Sequence, residues 1–463
     1  MQRKVKVSRE DSSIVAPHST SRGGAGWPAG PERYTGRMKP ANQLSATEAA
    51  AAIAAGTLTS EALVASCLDR IGAREPDVRA WAHIDAEAAL REARSRDRLP
   101  RRSRLHGIPV GVKDVIDTAD LPTEYGSPIY SGNQPACDAA CVAQVRELGG
   151  VILGKTVTTE FATRHPGKTR NPRNLDHTPG GSSSGSAAAA ADFMVPIAFG
   201  TQTTASIIRP AAFCGAVGYK PTFNLVNRAG LKVLSDSLDT IGVLARTVPD
   251  AAMIVEELSG ADPASFEGVA ALAPRIGFCR TPYWAEAHPS THAAFERALP
   301  RLAKAGASVK EVELPGEFAT LVDVQTRLSA FEFYRALTYE RTRFPELISA
   351  SLAARLSGGG SVTRAQYLEA HAVAARLRAR LDDIHDCDVL LSPSAVGEAP
   401  RGLESTGDPV FAIIWTVMLG PAITLPVFTG PNGLPVGAQV TGPRGSDART
   451  LVAAEWIRRA LED

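Results

Sequence analysis

One lysine and two serines in this chain have the types and surroundings needed for nucleophilic catalysis. Lys113 ends the run Gly-Ile-Pro-Val-Gly-Val-Lys, Ser182 lies in Gly-Gly-Ser-Ser-Ser-Gly-Ser, and Ser206 lies in Gly-Thr-Gln-Thr-Thr-Ala-Ser-Ile-Ile-Arg-Pro. A serine hydroxyl is a poor nucleophile until a base removes its proton. A buried lysine can be that base, because desolvation disfavours its charged form and lowers its pKa. The three residues therefore predict a serine-dependent site for acyl transfer.

The surroundings of these residues resemble the amidase signature family from about Leu44 to the C-terminus, and most densely from Asn171 to Thr222. Within the family, the runs Val-Ile-Asp-Thr-Ala after Asp114 and Ser-Ile-Ile-Arg-Pro from Ser206 look most like malonamidase-type enzymes. The resemblance implies a Ser–cis-Ser–Lys centre. In this centre Lys113 is the general base, Ser182 relays the proton after a cis peptide bond, and Ser206 is the nucleophile.

The resemblance also implies an oxyanion hole made of backbone N–H groups just before the nucleophile, those of Thr203, Thr204, Ala205 and Ser206 itself. Such donors stabilise the negative charge that develops on a tetrahedral intermediate. The family usually has Gly-Gly where this chain has Thr204 and Ala205. If that position needs a positive φ, a β-branched threonine is a poor replacement. Otherwise the backbone is compatible and the two side chains narrow the pocket.

Arg209 is the candidate substrate-binding residue. If Ser206 opens a helical turn, Arg209 three residues later shares its face. A guanidinium suits bidentate binding of a carboxylate, and the matching arginine of malonamidase-type relatives binds the free carboxylate of the substrate. The open alternative is an arginine that only ties the loop to nearby carbonyl oxygens.

These residues predict an amidase that hydrolyses a small-molecule carboxamide through a serine acyl-enzyme, with a malonamate-like acid amide as the expected substrate. No metal and no organic cofactor is expected. One alternative is the amidase subunit of a tRNA-dependent amidotransferase, although its arginine usually follows the nucleophile by two residues. Another is a weakly active or non-catalytic member that only binds a ligand. A homodimer is suggested by resemblance.

Composition excludes several other classes of function. Of the 463 residues 44% are hydrophobic and 21% charged, and the net charge is +1, which argues against a nucleic-acid partner or an anionic membrane surface. We find no apolar run long enough to cross a bilayer and no secretory signal, and we expect a cytoplasmic enzyme. The six scattered cysteines predict neither disulfides nor a zinc site.

Helix-like and strand-like segments alternate along the chain, which predicts an α/β fold. Ala187 to Ala191 predicts a helix, and the segments from Val151 to Leu153 and from Met194 to Phe199 predict buried strands. The resemblance implies one large domain, a twisted, mixed, many-stranded sheet with helices on both faces. We assign residues 1–39, rich in Ser, Gly, Pro and Arg, to a disordered tail and residues 40–463 to the amidase domain. Met38 is a candidate for the native start.

Two other segments match known sequence motifs in residue type but not in structural context. The run from Gly149 to Thr156 fits the phosphate-binding P-loop, but Val151 to Leu153 inside it is itself the predicted strand. The run from Gly181 to Gly185 fits the nucleophile elbow Gly-x-Ser-x-Gly, but no hydrophobic strand precedes it. We therefore expect neither nucleotide binding nor an α/β-hydrolase.

Overall fold

The computed structural model describes residues 39–384 and 386–462. The predicted tail, except for Lys39, lies outside these residues. Within them no helix is long and apolar enough to cross a membrane.

The described residues form a mixed α/β fold. Its helices are α1 (Ala46–Ala54), α2 (Ser60–Val78), α3 (Ala86–Asp97), α4 (Ala140–Glu147), α5 (Ser184–Ala191), α6 (Ile208–Cys214), α7 (Val248–Ser259), α8 (Pro289–Lys304), α9 (Leu321–Ala336), α10 (Thr338–Arg343), α11 (Ala350–Gly360), α12 (Arg364–Ile384), α13 (Val410–Val417) and α14 (Asp447–Glu462). Its strands are β1 (Trp81–His83), β2 (Pro109–Lys113), β3 (Val151–Thr156), β4 (Ile197–Gln202), β5 (Val217–Lys220), β6 (Thr240–Ala245), β7 (Arg275–Cys279), β8 (Ser308–Val312), β9 (Val389–Pro393), β10 (Ala422–Thr429) and β11 (Pro435–Thr441).

The strands of the described residues make one 11-stranded sheet in the order β1-β3-β2-β4-β6-β5-β10-β11-β9-β7-β8. Strand β2 is parallel to both β3 and β4, and β7 is parallel to β8 and β9. The strands from β4 to β9 along the sheet pair antiparallel. The predicted mixed sheet is confirmed.

Strands β2 and β4 carry the chemistry-bearing residues to one edge of the sheet. Both are fully buried, and their parallel pairing brings their carboxyl ends together. In open α/β sheets, ligands bind outside these ends. Lys113 is the last residue of β2, and Ser206 follows β4 in the short connection to α6.

Helix α5 lies across this part of the sheet with every residue buried, as its alanine-rich sequence predicts. It packs closely because of Gly185, where an added Cβ would lie 2.1 Å from Ala80 O. Ser182 immediately precedes this helix.

The structure of the segment from Gly149 to Thr156 is not that of a phosphate-binding P-loop. Residues Val151–Thr156 form β3, and Lys155 is fully buried, donating to Ile116 O at 2.8 Å. A lysine held inside a strand is not presented to a phosphate.

Candidate active site

The structure brings Lys113 and Ser182 into direct contact. Lys113 Nζ lies 2.7 Å from Ser182 Oγ and 2.7 Å from Thr201 Oγ1, and the lysine is fully buried. Burial lowers the pKa of Lys113 to about 7, and the nearby Asp239 carboxylate opposes that shift. A neutral amine in contact with a serine hydroxyl can accept a proton from it.

Ser182 is held at a sharp bend of the chain. The peptide bond between Gly181 and Ser182 is cis. Gly180 has a φ of +77°, and a Cβ there would lie 2.8 Å from Pro210 Cα. Only glycine meets both demands at that position without strain.

Ser206 lies in the connection between β4 and α6. Its carbonyl accepts the Ser183 N–H at 3.2 Å, which ties the two serine segments together, and the residue is 7% exposed. Its hydroxyl has no hydrogen-bond partner among the described residues, so it is available to a substrate.

The loop from Thr203 to Ser206 carries four backbone N–H groups, and none of them donates a hydrogen bond to another described residue. Donors without a protein acceptor beside a serine hydroxyl can bind an oxyanion. Neither Thr204 nor Ala205 is among the described residues with a positive φ. The loop backbone is therefore compatible with both side chains.

The side chains of Thr204 and Ala205 are both in contact with residues of other elements. The methyl group of Ala205 is fully buried in a small apolar cluster with Ile208, Ala412 and Ala422. The hydroxyl of Thr204 accepts a hydrogen bond from Gln325 on α9 at 2.9 Å.

Arg209 is buried in α6, and its Nη2 group donates to Gly181 O at 2.9 Å and to Thr406 Oγ1 at 3.0 Å. Burial lowers its pKa to about 10, Asp408 opposes the shift, and Arg164 adds to it. Of the two alternatives left open by the sequence, the structure contains the tie to a carbonyl oxygen. Arg209 Nε is also buried and lacks a partner in the described part of the chain.

Sequence reasoning missed three side chains at this site: Thr201, Gln325 and Thr416. Thr201 lies in the run Gly-Thr-Gln-Thr that leads to Ser206, so the motif itself could have identified it. Gln325 and Thr416 lie far along the chain with no local motif. In the described ranges, no group of His, Cys, Asp and Glu side chains could hold a metal ion.

Comparison with known proteins identifies the family of this chain. The Amidase family model matches residues 62–451. A glutamyl-tRNA(Gln) amidotransferase subunit of Acidothermus cellulolyticus is 36% identical, over 90% of this chain and 94% of the relative. A crystal structure described as an amidase superposes with a TM-score of 0.83 at 30% identity, covering 90% of this chain and all of that one. The structure of the corresponding amidotransferase subunit from Thermotoga maritima gives 0.75 at 29% identity, covering 90% and 94%.

These relatives correct two of our expectations. The prediction of a malonamate-like small-molecule amidase is wrong, because curated relatives that match over nearly their whole length are named as amidotransferase subunits. The partner prediction, with no nucleic acid, is also wrong, because the relatives are named for a tRNA-linked substrate.

The family is established by the model match and by relatives above 30% identity across most of the chain. The chain belongs to the Amidase family and is an enzyme that acts on carbon–nitrogen amide bonds.

Proposed function

We propose that the chain is the amide-cleaving subunit of a tRNA-dependent amidotransferase, releasing ammonia from glutamine for the amidation of glutamyl-tRNA(Gln). The observation that carries the chemistry is the 2.7 Å contact between Ser182 Oγ and a buried Lys113 whose pKa lies near 7. The observation that carries the biological setting is the match to the Acidothermus cellulolyticus relative over 94% of its length. The proposal assigns residues 40–463 to a single amidase domain.

The reaction uses the three residues in sequence. Ser206 Oγ attacks the amide carbonyl while its proton passes to Ser182 and the Ser182 proton passes to Lys113. The N–H groups of the loop from Thr203 to Ser206 bind the resulting oxyanion. Lys113 then returns a proton, through Ser182, to the departing nitrogen, which leaves as ammonia. Water hydrolyses the acyl-enzyme to the free acid and restores Ser206.

The charges around Arg209 support an amino-acid amide as the substrate. Asp408 and Arg164 are both exposed, and both affect the pKa of the buried Arg209. Arg164 also contributes to lowering the pKa of Arg355 to about 10, after burial, which is the main cause. Glutamine carries an α-ammonium and an α-carboxylate, and the proposal pairs these groups with the two opposite charges near Arg209.

The remaining steps need partners. The proposal gives tRNA binding and activation of the glutamyl group to other subunits. Because aminoacyl-tRNA is used in the cytoplasm, the proposal keeps the cytoplasmic location that we expected from the sequence.

The test is to tag the chain in its native cells, purify it with its associated subunits, and supply glutamine labelled with ¹⁵N in the amide. Label should appear in glutaminyl-tRNA(Gln) when glutamyl-tRNA(Gln), ATP and Mg²⁺ are present. Ser206→Ala should abolish transfer from glutamine and leave transfer from added ammonium intact, because only ammonia release is lost. A chain that co-purifies with no tRNA-binding subunit and transfers no label would refute the assignment.

A further inference from the structure

Thr204 is where this chain departs from the Gly-Gly that its family usually has before the nucleophile. The departure leaves a threonine hydroxyl and a longer side chain in the loop that binds the oxyanion. In the structure this hydroxyl has a dedicated partner on another element, Gln325 of α9. This hydrogen bond ties the loop to α9 through a side chain that glycine lacks.

Gln325 touches the loop at two points. Its Nε2 group donates to Thr204 Oγ1 at 2.9 Å and to Thr203 O at 3.2 Å. Gln325 is 3% exposed, so these bonds are shielded from water. A buried amide that uses its donors in this way holds the loop at a fixed distance from α9.

Thr416 of α13 holds the next carbonyl. Its hydroxyl donates to Thr204 O at 2.7 Å and accepts from Gln202 Nε2 at 2.9 Å. Gln202 Oε1 in turn accepts the N–H groups of Ile207 and Ile208 at 2.9 and 3.1 Å. The loop is therefore held by its own flanks as well as by two distant helices.

These bonds determine the direction of the N–H groups. In a planar trans peptide, the C=O and the N–H of one unit point in opposite directions. Among the described residues the single cis bond is Gly181–Ser182, so the loop peptides are trans. Holding Thr203 O against Gln325 turns the Thr204 N–H away from α9, and holding Thr204 O against Thr416 turns the Ala205 N–H away from α13.

We propose that Gln325 is a positioning residue for the reaction, and that it acts with the Thr204 hydroxyl to aim the oxyanion-binding N–H groups of Thr204 and Ala205. The inference rests on the oxyanion role that the proposed function gives to this loop. Gln325 does not touch the substrate. It sets the geometry of donors whose individual loss costs about 100- to 1000-fold in rate.

The test compares Gln325→Ala and Gln325→Met, which keeps the length of the side chain but has no hydrogen-bond donor, with Gln144→Ala as control. Gln144 on α4 also donates to a backbone carbonyl of another element, Leu258 O of α7, at 3.1 Å. We expect both Gln325 variants to lose about 10- to 100-fold in kcat for ammonia release from glutamine, with KM within about twofold. The Gln144 variant should keep the wild-type kcat.

A fluorophosphonate supplies a readout that needs no knowledge of the natural substrate, because its P=O oxygen occupies the oxyanion hole as Ser206 is labelled. The rate constant for labelling should fall in parallel with kcat, while the final stoichiometry of labelling stays that of wild type. Thr204→Val, which removes the hydroxyl, should lower the labelling rate constant as the Gln325 variants do. Thr204→Ser, which keeps the hydroxyl, should label at the wild-type rate.

The outcomes separate this inference from the proposed function. A wild-type protein that labels at Ser206 but releases no ammonia from glutamine refutes the function alone, and the labelling rates of the variants still decide the role of Gln325. Wild-type labelling rates in both Gln325 variants overturn the inference. So does a loss that comes only from a smaller folded fraction, seen as reduced labelling stoichiometry with an unchanged rate.

Discussion

Three lysines are fully buried in the described part of the chain, and their partners distinguish them. Lys155 lies 3.3 Å from Asp114, and Lys220 donates to the carbonyl oxygens of Gly420 and Pro221. Burial lowers the pKa of all three, to about 8 for Lys220 and to about 7 for Lys113. Of the three, Lys113 alone is bonded to a serine hydroxyl next to the proposed nucleophile. Burial therefore favours the neutral amine, and the contact with Ser182 supports the role of base that we propose for Lys113.

The acid limb of the pH profile follows from Lys113. Protonated lysine cannot accept the serine proton, so kcat/KM should rise with pH through an apparent pKa of about 7. The Asp239 carboxylate raises this pKa, so Asp239→Asn should move the limb to lower pH. Asp236→Asn, at an exposed position of the same loop, should leave it in place. Measuring kcat/KM from pH 5 to 9 checks both, and a limb that moves upward in Asp239→Asn contradicts the assignment.

At the scale of elements, local sequence predicted the core well. The expected helix from Ala187 to Ala191 lies within α5, and the expected strand from Val151 to Leu153 begins β3. The strand expected from Met194 to Phe199 begins only at Ile197, because a turn at Phe193, with a φ of 60°, intervenes after α5.

Local sequence did not predict which distant side chains hold the loop from Thr203 to Ser206 in place. Gln325 and Thr416 reach Thr204 from 121 and 212 residues along the chain. Their roles depend on how α9 and α13 pack, and no periodicity or motif in either helix records that. Lys113, Ser182 and Ser206 could be singled out as candidates because the resemblance preserves the residues around them, and their catalytic roles stay predictions.

The close packing of α5 on the sheet gives a test of stability at this scale. A methyl group at Gly185 would lie 2.1 Å from Ala80 O and 2.4 Å from Val157 N, and backbone atoms cannot move aside cheaply. We expect Gly185→Ala to lower the free energy of unfolding by about 1–3 kcal/mol.

Gly72→Ala is the matched control, because this helical glycine of α2 has no atom within 4 Å of an added Cβ. It should gain about 0.5–1 kcal/mol from the better helix propensity of alanine. Urea unfolding of both variants checks the pair. Equal effects of the two substitutions would show that α5 does not depend on this close approach.

At the scale of the whole molecule, buried or half-buried polar contacts join helices α9 to α11 to segments that connect the strands of the sheet. Glu332 of α9 accepts from Ser235 and Ser237, and Glu160 accepts from Ser349 at the start of α11. Gln325 belongs to the same set of contacts, since it joins α9 to the loop from Thr203 to Ser206. The attachment of this helical layer therefore bears on the geometry of the site.

Glu340 of α10 provides the sharpest test of that attachment. Its buried carboxylate contacts Lys232 and accepts from Tyr130 at 2.6 Å. Burial alone raises the pKa of Glu340, but the hydrogen bonds from Lys232 and Tyr130 outweigh it and hold the pKa below its ordinary value. A carboxyl with a lowered folded-state pKa stabilises the fold above the unfolded-state pKa, and this stabilisation is lost as the pH falls through the folded-state value.

Glu340→Gln should therefore lower the free energy of unfolding by about 1–3 kcal/mol at pH 7, because it leaves a partly buried ammonium without its counter-charge. The deficit should shrink as the pH falls below about 4.3, the ordinary pKa of a glutamate, and through the lower folded-state pKa of wild-type Glu340. Asp323→Asn, which breaks an exposed ion pair with Arg327 on α9, should cost less than about 1 kcal/mol at either pH. Urea unfolding at pH 7 and pH 3 measures all three proteins. A Glu340→Gln deficit that stays constant with pH would mean that the carboxylate charge does not hold the helical layer in place.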